Sequence, residues 1–231
     1  MNNKKKFFLV FLFILLDTFL LIGFLVIRDA TMLNDLKKEI NTLSKLEITK
    51  DRYNTKVKTS GNYGVVEKSI KKYLDDYAVS LQEVLDALDD EKLTKVLSYD
   101  NYKNDGPEFT KSLEYLNNKK ETFNKKIDSL LNKSDEKIIK KYIDDEIDDP
   151  YFRDLYVELM LTEERKDTFK ETKDLLEESK TRINNVLDTS IDVLNFLKNN
   201  KDNWVLENGE IKFKNRDLYN QYMDKVSKLS K

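Results

Sequence analysis

Carboxylates form the densest clusters of chemically active side chains in this chain. They lie at Asp75–Asp76, at Asp89–Asp90–Glu91 and in the segment DDEIDD at 144–149. Carboxylates that converge on one point bind hard cations such as Ca²⁺, and a pair across a cleft catalyses glycoside hydrolysis. Segment 144–149 also fits a helix end followed by an Asp cap, and chance pairs are expected among 43 acidic residues. We therefore predict no metal site, no cofactor and no catalytic residue.

The loop around Gly106 is the part of the chain that comes nearest to a calcium-binding template. Asn101, Lys103 and Asp105 would take the first, third and fifth ligand positions. A lysine cannot ligate a cation, and Ser112 stands where the bidentate Glu should be. The loop therefore does not fit an EF-hand.

Two residue types are absent, and their absence removes whole classes of chemistry. The chain has no His and no Cys, which excludes Ser-His-Asp and Cys-His catalysis, the usual zinc sites, disulfides and a lipid-bearing Cys. The segment TSGNYG at 59–64 lacks the Lys-Ser/Thr ending of a phosphate-binding loop. We expect a protein that is not an enzyme.

Asp17 is the most unusual acidic residue because it lies at the midpoint of an apolar run. Residues 7–27 would form about 31 Å of helix, which matches a hydrocarbon core of about 30 Å. A carboxylate there costs about 2.5–3.5 kcal/mol, which the surrounding Leu, Ile, Phe and Val offset. Two alternatives stay open: Asp17 is protonated and tolerated, or it pairs with a polar group on another membrane helix or a second copy. Gly23 adds one point of close helix approach.

The flanks of the run distinguish an anchor from a cleaved signal peptide. Arg28 and Asp29 stand where a cleavage site needs small residues, so we predict an uncleaved transmembrane anchor at 7–27. Lys4, Lys5 and Lys6 precede it, and this compact basic cluster favours a cytoplasmic tail at 1–6. The soluble part is then extracytoplasmic, at a cell membrane crossed once.

Residues 28–48 have the apolar spacing of a stalk helix. Leu33, Leu36, Ile40 and Leu43 recur at three and four residues. The stripe would either form a short coiled coil or pack on the chain's own domain, and we predict the latter.

A polar linker is predicted at 49–63, and it carries a basic cluster. Lys50, Arg52, Lys56 and Lys58 are candidate contacts for anionic lipid headgroups. The alternative is a solvated loop.

The remainder, 64–231, has helical periodicity and little Gly or Pro. We predict a bundle of about four long helices, with Pro107 in the first turn of one helix and Ser134 opening another. Asn208–Gly209 predicts a two-residue hairpin turn within about 203–214, with Trp204 packed on the helices. The longest helix, of about 37 residues, carries few large apolar residues in its middle and is expected to be partly exposed.

The sequence therefore predicts a mainly α protein: an N-terminal transmembrane helix, then a helical bundle with a short C-terminal β-hairpin. A formal net charge of −2 argues against nucleic acid as a partner. In layout the chain resembles single-pass envelope proteins of Gram-positive bacteria. We predict a structural, adaptor or accessory component at the cell envelope that binds a protein partner, and homo-oligomers stay open. The alternative is an extracytoplasmic sensor or solute-binding domain, with a pocket near Trp204 or the loop at 100–107.

Overall fold

The computed structural model describes residues 27–43 and 56–230. The predicted tail at 1–6, the apolar run apart from Ile27, and four predicted site residues (Asp17, Gly23, Lys50 and Arg52) lie outside the described residues. Of the helices within 27–43 and 56–230, none has both the length and the apolar character needed to cross a bilayer.

The described chain is mainly helical with one short hairpin. Its elements are α1 (27–43), α2 (Gly61–Leu88), α3 (Glu91–Lys95), α4 (Tyr99–Asp105), α5 (Thr110–Lys133), α6 (Glu136–Asp144), α7 (Pro150–Met160), α8 (Glu163–Asn199), a 3-10 turn (Lys201–Asn203), β1 (Trp204–Glu207), β2 (Glu210–Phe213), α9 (Arg216–Ser227) and a second 3-10 turn (Lys228–Ser230). The described residues divide into two compact units, the first 27–43 and 56–75 with Lys140–Thr162 and the second Asp76–Ile139 with 163–230.

The first unit buries the stripe that the sequence places on α1. Leu36, Ile40 and Leu43 are each 4% exposed or less. Their buried neighbours in this unit come from α2, α6 and α7, and include Val66, Ile70, Tyr73, Ile143, Leu155 and Tyr156. The prediction that this stripe packs within its own chain is confirmed.

The second unit is built on the antiparallel pair α5 and α8. Its core combines Leu116 of α5 with Leu187, Val193, Leu194 and Leu197 of α8. Each of the two helices carries apolar residues at three- and four-residue spacing. This spacing places them on one face of the helix, and that face is buried.

Three polar pairs run along the boundary between α5 and α8. Lys120 Nζ lies 2.5 Å from Asp188 Oδ1, and Lys180 Nζ lies 2.5 Å from Asp128 Oδ1. Between them the side-chain amides of Asn124 and Asn184 exchange two hydrogen bonds of 2.8 and 2.9 Å. Each helix thus presents Lys, Asn and Asp at four-residue spacing.

Helix α8 has the predicted 37 residues, and its apolar burial is confined to one end. Its buried side chains begin at Leu187, whereas Leu175 is 63% exposed. The expectation of a partly exposed helix is confirmed. One residue assigned to the apolar stripe, Val186, is exposed, and Leu187 faces the core in its place.

The hairpin forms where it was predicted. Asn208 and Gly209 have φ angles of 53° and 82°, the left-handed pair that a tight turn requires, and Glu207 pairs with Glu210 across it. Trp204 is 7% exposed, and its indole N–H donates to the Leu197 carbonyl at 2.8 Å. The prediction that Trp204 belongs to the core is confirmed.

Three local predictions differ from the structure. Pro107 follows a cis peptide bond in the turn before α5, which begins only at Thr110. The first turn of α6 is capped by Asp135, which accepts from the Lys137 amide at 2.8 Å, and not by Ser134, because a carboxylate one residue closer to the helix reaches that amide. Helix α2 begins at Gly61, three residues before the predicted start.

The hairpin turn provides a test of the fold. Gly209→Ala should destabilise the second unit by about 1–2 kcal/mol, since a Cβ is strained at positive φ, although no atom lies within 4 Å of that position. Asn208→Gly is the control and should change stability by a few tenths of a kcal/mol, because glycine adopts this conformation freely. Urea unfolding followed by the fluorescence of Trp204, the only Trp, measures both. Equal effects would show that the turn geometry is not the determinant.

Candidate functional site

A buried ammonium group lies at the centre of the first unit. The side chain of Lys71, in α2, is 1% exposed. Its Nζ lies 2.8 Å from Glu39 Oε1, 2.7 Å from Glu67 Oε1 and 2.7 Å from the Lys56 carbonyl oxygen. All three of its N–H donors therefore have acceptors.

Glu67 is the most completely enclosed member of this cluster, with a side chain that is 0% exposed. Besides Lys71, three donors from the segment before α2 satisfy its two oxygens through four hydrogen bonds. The Lys58 amide donates at 2.9 and 3.0 Å, the Thr59 amide at 2.8 Å and the Thr59 hydroxyl at 2.7 Å. The Glu67 carboxylate thereby holds residues 58–59 against the first turns of α2.

Glu39 brings α1 into the same cluster. One carboxylate oxygen binds Lys71, and the other accepts from Lys58 Nζ at 2.6 Å. The Lys58 side chain is 57% exposed, so this second cation closes the cluster at the surface. Two carboxylates and two ammonium groups leave the set formally neutral. We call these four residues (Glu39, Lys58, Glu67 and Lys71) the ion cluster.

The pKa shifts reflect burial opposed by pairing. Burial raises the pKa of Glu67, but the Lys71 ammonium and the Thr59 and Lys58 donors outweigh it and hold that pKa below the usual value. Burial likewise acts against the pairing of Glu39 with Lys58 and Lys71, and the pKa of Glu39 is also lowered. For Lys71, burial lowers the pKa, but the paired carboxylates of Glu39 and Glu67 raise it by more, so the net shift is upward. Glu39, Glu67 and Lys71 are therefore charged at neutral pH.

The ion cluster can hold three segments together, but its groups are saturated by one another. Lys71 has no donor left for a ligand, and Glu67 accepts from four donors. Within the described residues, no three Asp or Glu side chains come together in a way that could hold a metal ion. The arrangement is that of a clamp between α1, residues 56–59 and α2.

Sequence reasoning did not single out Glu39, Glu67 or Lys71. A signal was present, because Glu67 and Lys71 are four residues apart and interrupt the buried stripe of Val66, Ile70 and Tyr73. Of the basic residues predicted to contact lipid, Lys58 contributes its amide and its ammonium to the ion cluster, and Lys56 contributes its carbonyl oxygen.

The two places where the sequence suggests a pocket come together in the second unit, and aromatic rings fill them. Trp204 stacks on Phe109 with centroids 6.1 Å apart, and Phe109 meets Tyr102 edge-on at 5.7 Å. The hydroxyls of Tyr102 and Tyr222 lie 3.2 Å apart, and burial together with Tyr222 raises the pKa of Tyr102. A Cβ added at Gly106 would lie 2.4 Å from the Tyr102 carbonyl oxygen, so the backbone is also closely packed here.

A surface groove in the second unit, of about 510 Å³, has a different character. Its lining consists of polar and charged side chains, namely Glu83, Asn118, Glu121, Thr122, Lys125, Lys126 and Ser129. Small-molecule sites are mostly lined by apolar and aromatic groups around a few polar ones. The composition of this groove does not match that pattern.

No protein family, curated protein or solved structure matches the chain.

Loss of the central ammonium tests the clamp. Lys71→Met should destabilise the first unit by about 3–5 kcal/mol, because it leaves two buried carboxylates with only one partner cation. Hydrogen exchange of residues 27–43 and 61–75 measures the loss of protection. Lys68→Met is the matched control, since Lys68 lies one turn earlier with a side chain 56% exposed and pairs with Glu146 at 3.0 Å. It should cost about 0–1 kcal/mol, and equal losses in the two variants would contradict a clamp.

The pH dependence of the stability of the first unit provides a second test of the ion cluster. The lowered pKa values of Glu39 and Glu67 give a stabilisation that is fully present above the unfolded Glu pKa of about 4.3. It is lost as pH falls through the lower folded values, since the unfolded state then binds more protons. The contribution of Lys71 is fully present below about pH 10.4 and is lost as pH rises through its raised folded value.

The variant Glu67→Gln should therefore show a smaller loss of unfolding free energy on acidification than the unsubstituted chain. Urea unfolding followed by circular dichroism at several pH values between neutrality and about pH 3 measures this slope. Glu158→Gln, at an exposed position in the same unit, should leave the slope unchanged. An unchanged slope in Glu67→Gln would exclude Glu67 as a contributor.

Proposed function

We propose that this chain is a membrane-anchored, extracytoplasmic helical protein that acts as a structural, adaptor or accessory component of the bacterial cell envelope. Residues 7–27 would be the anchor and residues 1–6 the cytoplasmic tail. The folded units would present helical surfaces to a partner protein, and homo-oligomers are compatible with this role. The chain would work by binding and not by catalysis.

The observation that carries the proposal is the attachment of α1 to the first unit. The described part of α1 starts at Ile27, the last residue of the apolar run, and Leu36, Ile40 and Leu43 bury its stripe. The ion cluster then ties α1 to α2 through Glu39. A domain held this closely to the end of an apolar run would stand directly at the membrane surface, with no free tether between α1 and the unit.

The filled aromatic cluster around Trp204 supports the adaptor reading over the sensor reading. A solute-binding domain needs a well-formed, largely apolar cavity. The rings of Trp204, Phe109 and Tyr102 occupy that position, and the groove at α5 is polar.

Membrane attachment and orientation test the proposal together. The full chain should remain in the membrane fraction after alkaline carbonate extraction, since a 21-residue apolar helix is long enough to span the bilayer. Protease added to intact protoplasts should digest the soluble part. Protease added to sealed inside-out vesicles, without detergent, should leave the soluble part intact. Release by carbonate would refute the anchor, and protection in protoplasts would refute the extracytoplasmic orientation.

The role of Asp17 needs a separate arm of the same experiment. Crosslinking in membranes should yield a partner or a homo-oligomer with Asp17 intact that is lost in Asp17→Leu, because the carboxylate would no longer pair within the bilayer. Asp17→Asn is the control that retains hydrogen bonding without charge. Identical crosslinks in all three chains would show that Asp17 is merely tolerated.

A further inference from the structure

The end of the first unit that lies beside Ile27 is built from the first turns of α1 and α2. The Ser60 hydroxyl, immediately before α2, donates to the Met32 sulfur at 3.7 Å. Seven residues further along α1, Glu39 meets Glu67 and Lys71 of α2 through the ion cluster. The two helices therefore run in the same direction, and the start of α2 lies level with the first turns of α1.

An aromatic cluster occupies this same end. Tyr63, in the first turn of α2, packs edge-on against Phe152 in the first turn of α7, with ring centroids 5.0 Å apart. Tyr151 also packs edge-on against Phe152, with ring centroids 5.0 Å apart. Tyr63 is 4% exposed but Tyr151 is 51% exposed, so one ring of the cluster faces outward.

The contact between Ser60 and Met32 locates this cluster relative to the apolar run. Met32 follows Ile27 by five residues, or about 8 Å along a helix, and Ser60 immediately precedes the turn of α2 that carries Tyr63. Burial, together with the Tyr151 hydroxyl and the Asp29 carboxylate, raises the pKa of Tyr63, in keeping with this placement. The aromatic cluster thus lies about 8 Å, along the axis of α1, from the point where the apolar run ends.

We propose that the exposed ring of Tyr151 contacts the headgroup layer of the lipid bilayer and orients the first unit on it. This inference rests on the proposed function, since it requires residues 7–27 to span the membrane. The headgroup layer extends roughly 5–8 Å beyond each face of the hydrocarbon core, and its outer edge reaches the level of this aromatic cluster. Tyrosine is enriched at this depth because its ring is apolar and its hydroxyl remains hydrated.

Charge attraction does not explain the contact, and this separates it from a basic lipid-binding patch. The two residues that precede α7 are acidic: Asp149 caps the helix by accepting from the Tyr151 amide at 3.0 Å, and Asp148 pairs with Arg153 at 3.2 Å. Lys58, in contrast, is paired with Glu39, about 18 Å along α1 from Ile27. The contact should therefore form on zwitterionic phosphatidylcholine without anionic lipid.

Tryptophan fluorescence measures the depth of this position directly. The full chain carrying Tyr151→Trp is reconstituted in phosphatidylcholine vesicles, with and without bromine atoms near the headgroup end of the acyl chains. The unsubstituted chain contains only Trp204 and supplies the baseline. Tyr151→Trp should lose more emission in brominated vesicles than the baseline does, and its remaining emission should shift to the blue.

A second tryptophan variant in the same unit provides the control. Tyr142→Trp places the probe beside Tyr73, at a centroid distance of 5.4 Å for the native rings, and Tyr73 follows Tyr63 by about 15 Å along α2. This variant should show no quenching beyond the baseline. Hydrogen exchange of residues 61–75 confirms that both variants keep the native first unit.

Two failures are distinguishable. If carbonate extracts the chain from the vesicles, the anchor of the proposed function is wrong, and the contact of Tyr151 is overturned with it. If the chain stays in the membrane but Tyr151→Trp is quenched no more than Tyr142→Trp, the anchor stands and the headgroup contact is overturned.

Discussion

An ammonium group removed from water needs opposite charge and hydrogen-bond acceptors within a few ångströms, and the first unit is arranged around one such group. The desolvation cost of a buried ion amounts to several kcal/mol, and it is offset here because Lys71 reaches a carboxylate on each side and a carbonyl oxygen. Those acceptors come from α1, from α2 and from the segment between them. Satisfying one charge therefore requires three parts of the chain to be in place at once.

This dependence gives the cluster a directional role that apolar packing alone would not supply. Leu36, Ile40 and Leu43 bury the stripe of α1, but aliphatic side chains tolerate sliding and rotation better than ion pairs do. The two carboxylate oxygens of Glu39, each bound to a different lysine, select one register of α1 on α2. If residues 7–27 anchor the chain, that register also sets how the first unit meets the membrane.

Local structure followed from the sequence where a few neighbouring residues determine it. Asn208–Gly209 demands positive φ angles and adopts them. The Asp cap predicted at the end of 144–149 forms at Asp149, immediately before α7. The ion cluster did not follow, because a charged residue on a helix is assigned to solvent unless its partners are known. Glu67 finds its partners in the loop at 58–59 and Lys71 in α1, and such contacts are fixed by the tertiary fold. The prediction that Pro107 lies in the first turn of a helix was wrong, because α5 starts only at Thr110.

The three polar pairs between α5 and α8 have a consequence for alignment errors during folding. Each of the two helices carries Lys, Asn and Asp at four-residue spacing. Only in the observed register does antiparallel pairing bring each Lys to an Asp and the two Asn together. A slip of one turn in one direction would place the ammonium groups of Lys120 and Lys180 opposite the amides, and a slip in the other direction would place Asp128 and Asp188 opposite them. Exposed ion pairs add little stability, yet here they penalise the wrong alignment of two long helices whose aliphatic faces would otherwise accept it. The three polar pairs therefore serve chiefly to select the register in which α5 and α8 pair.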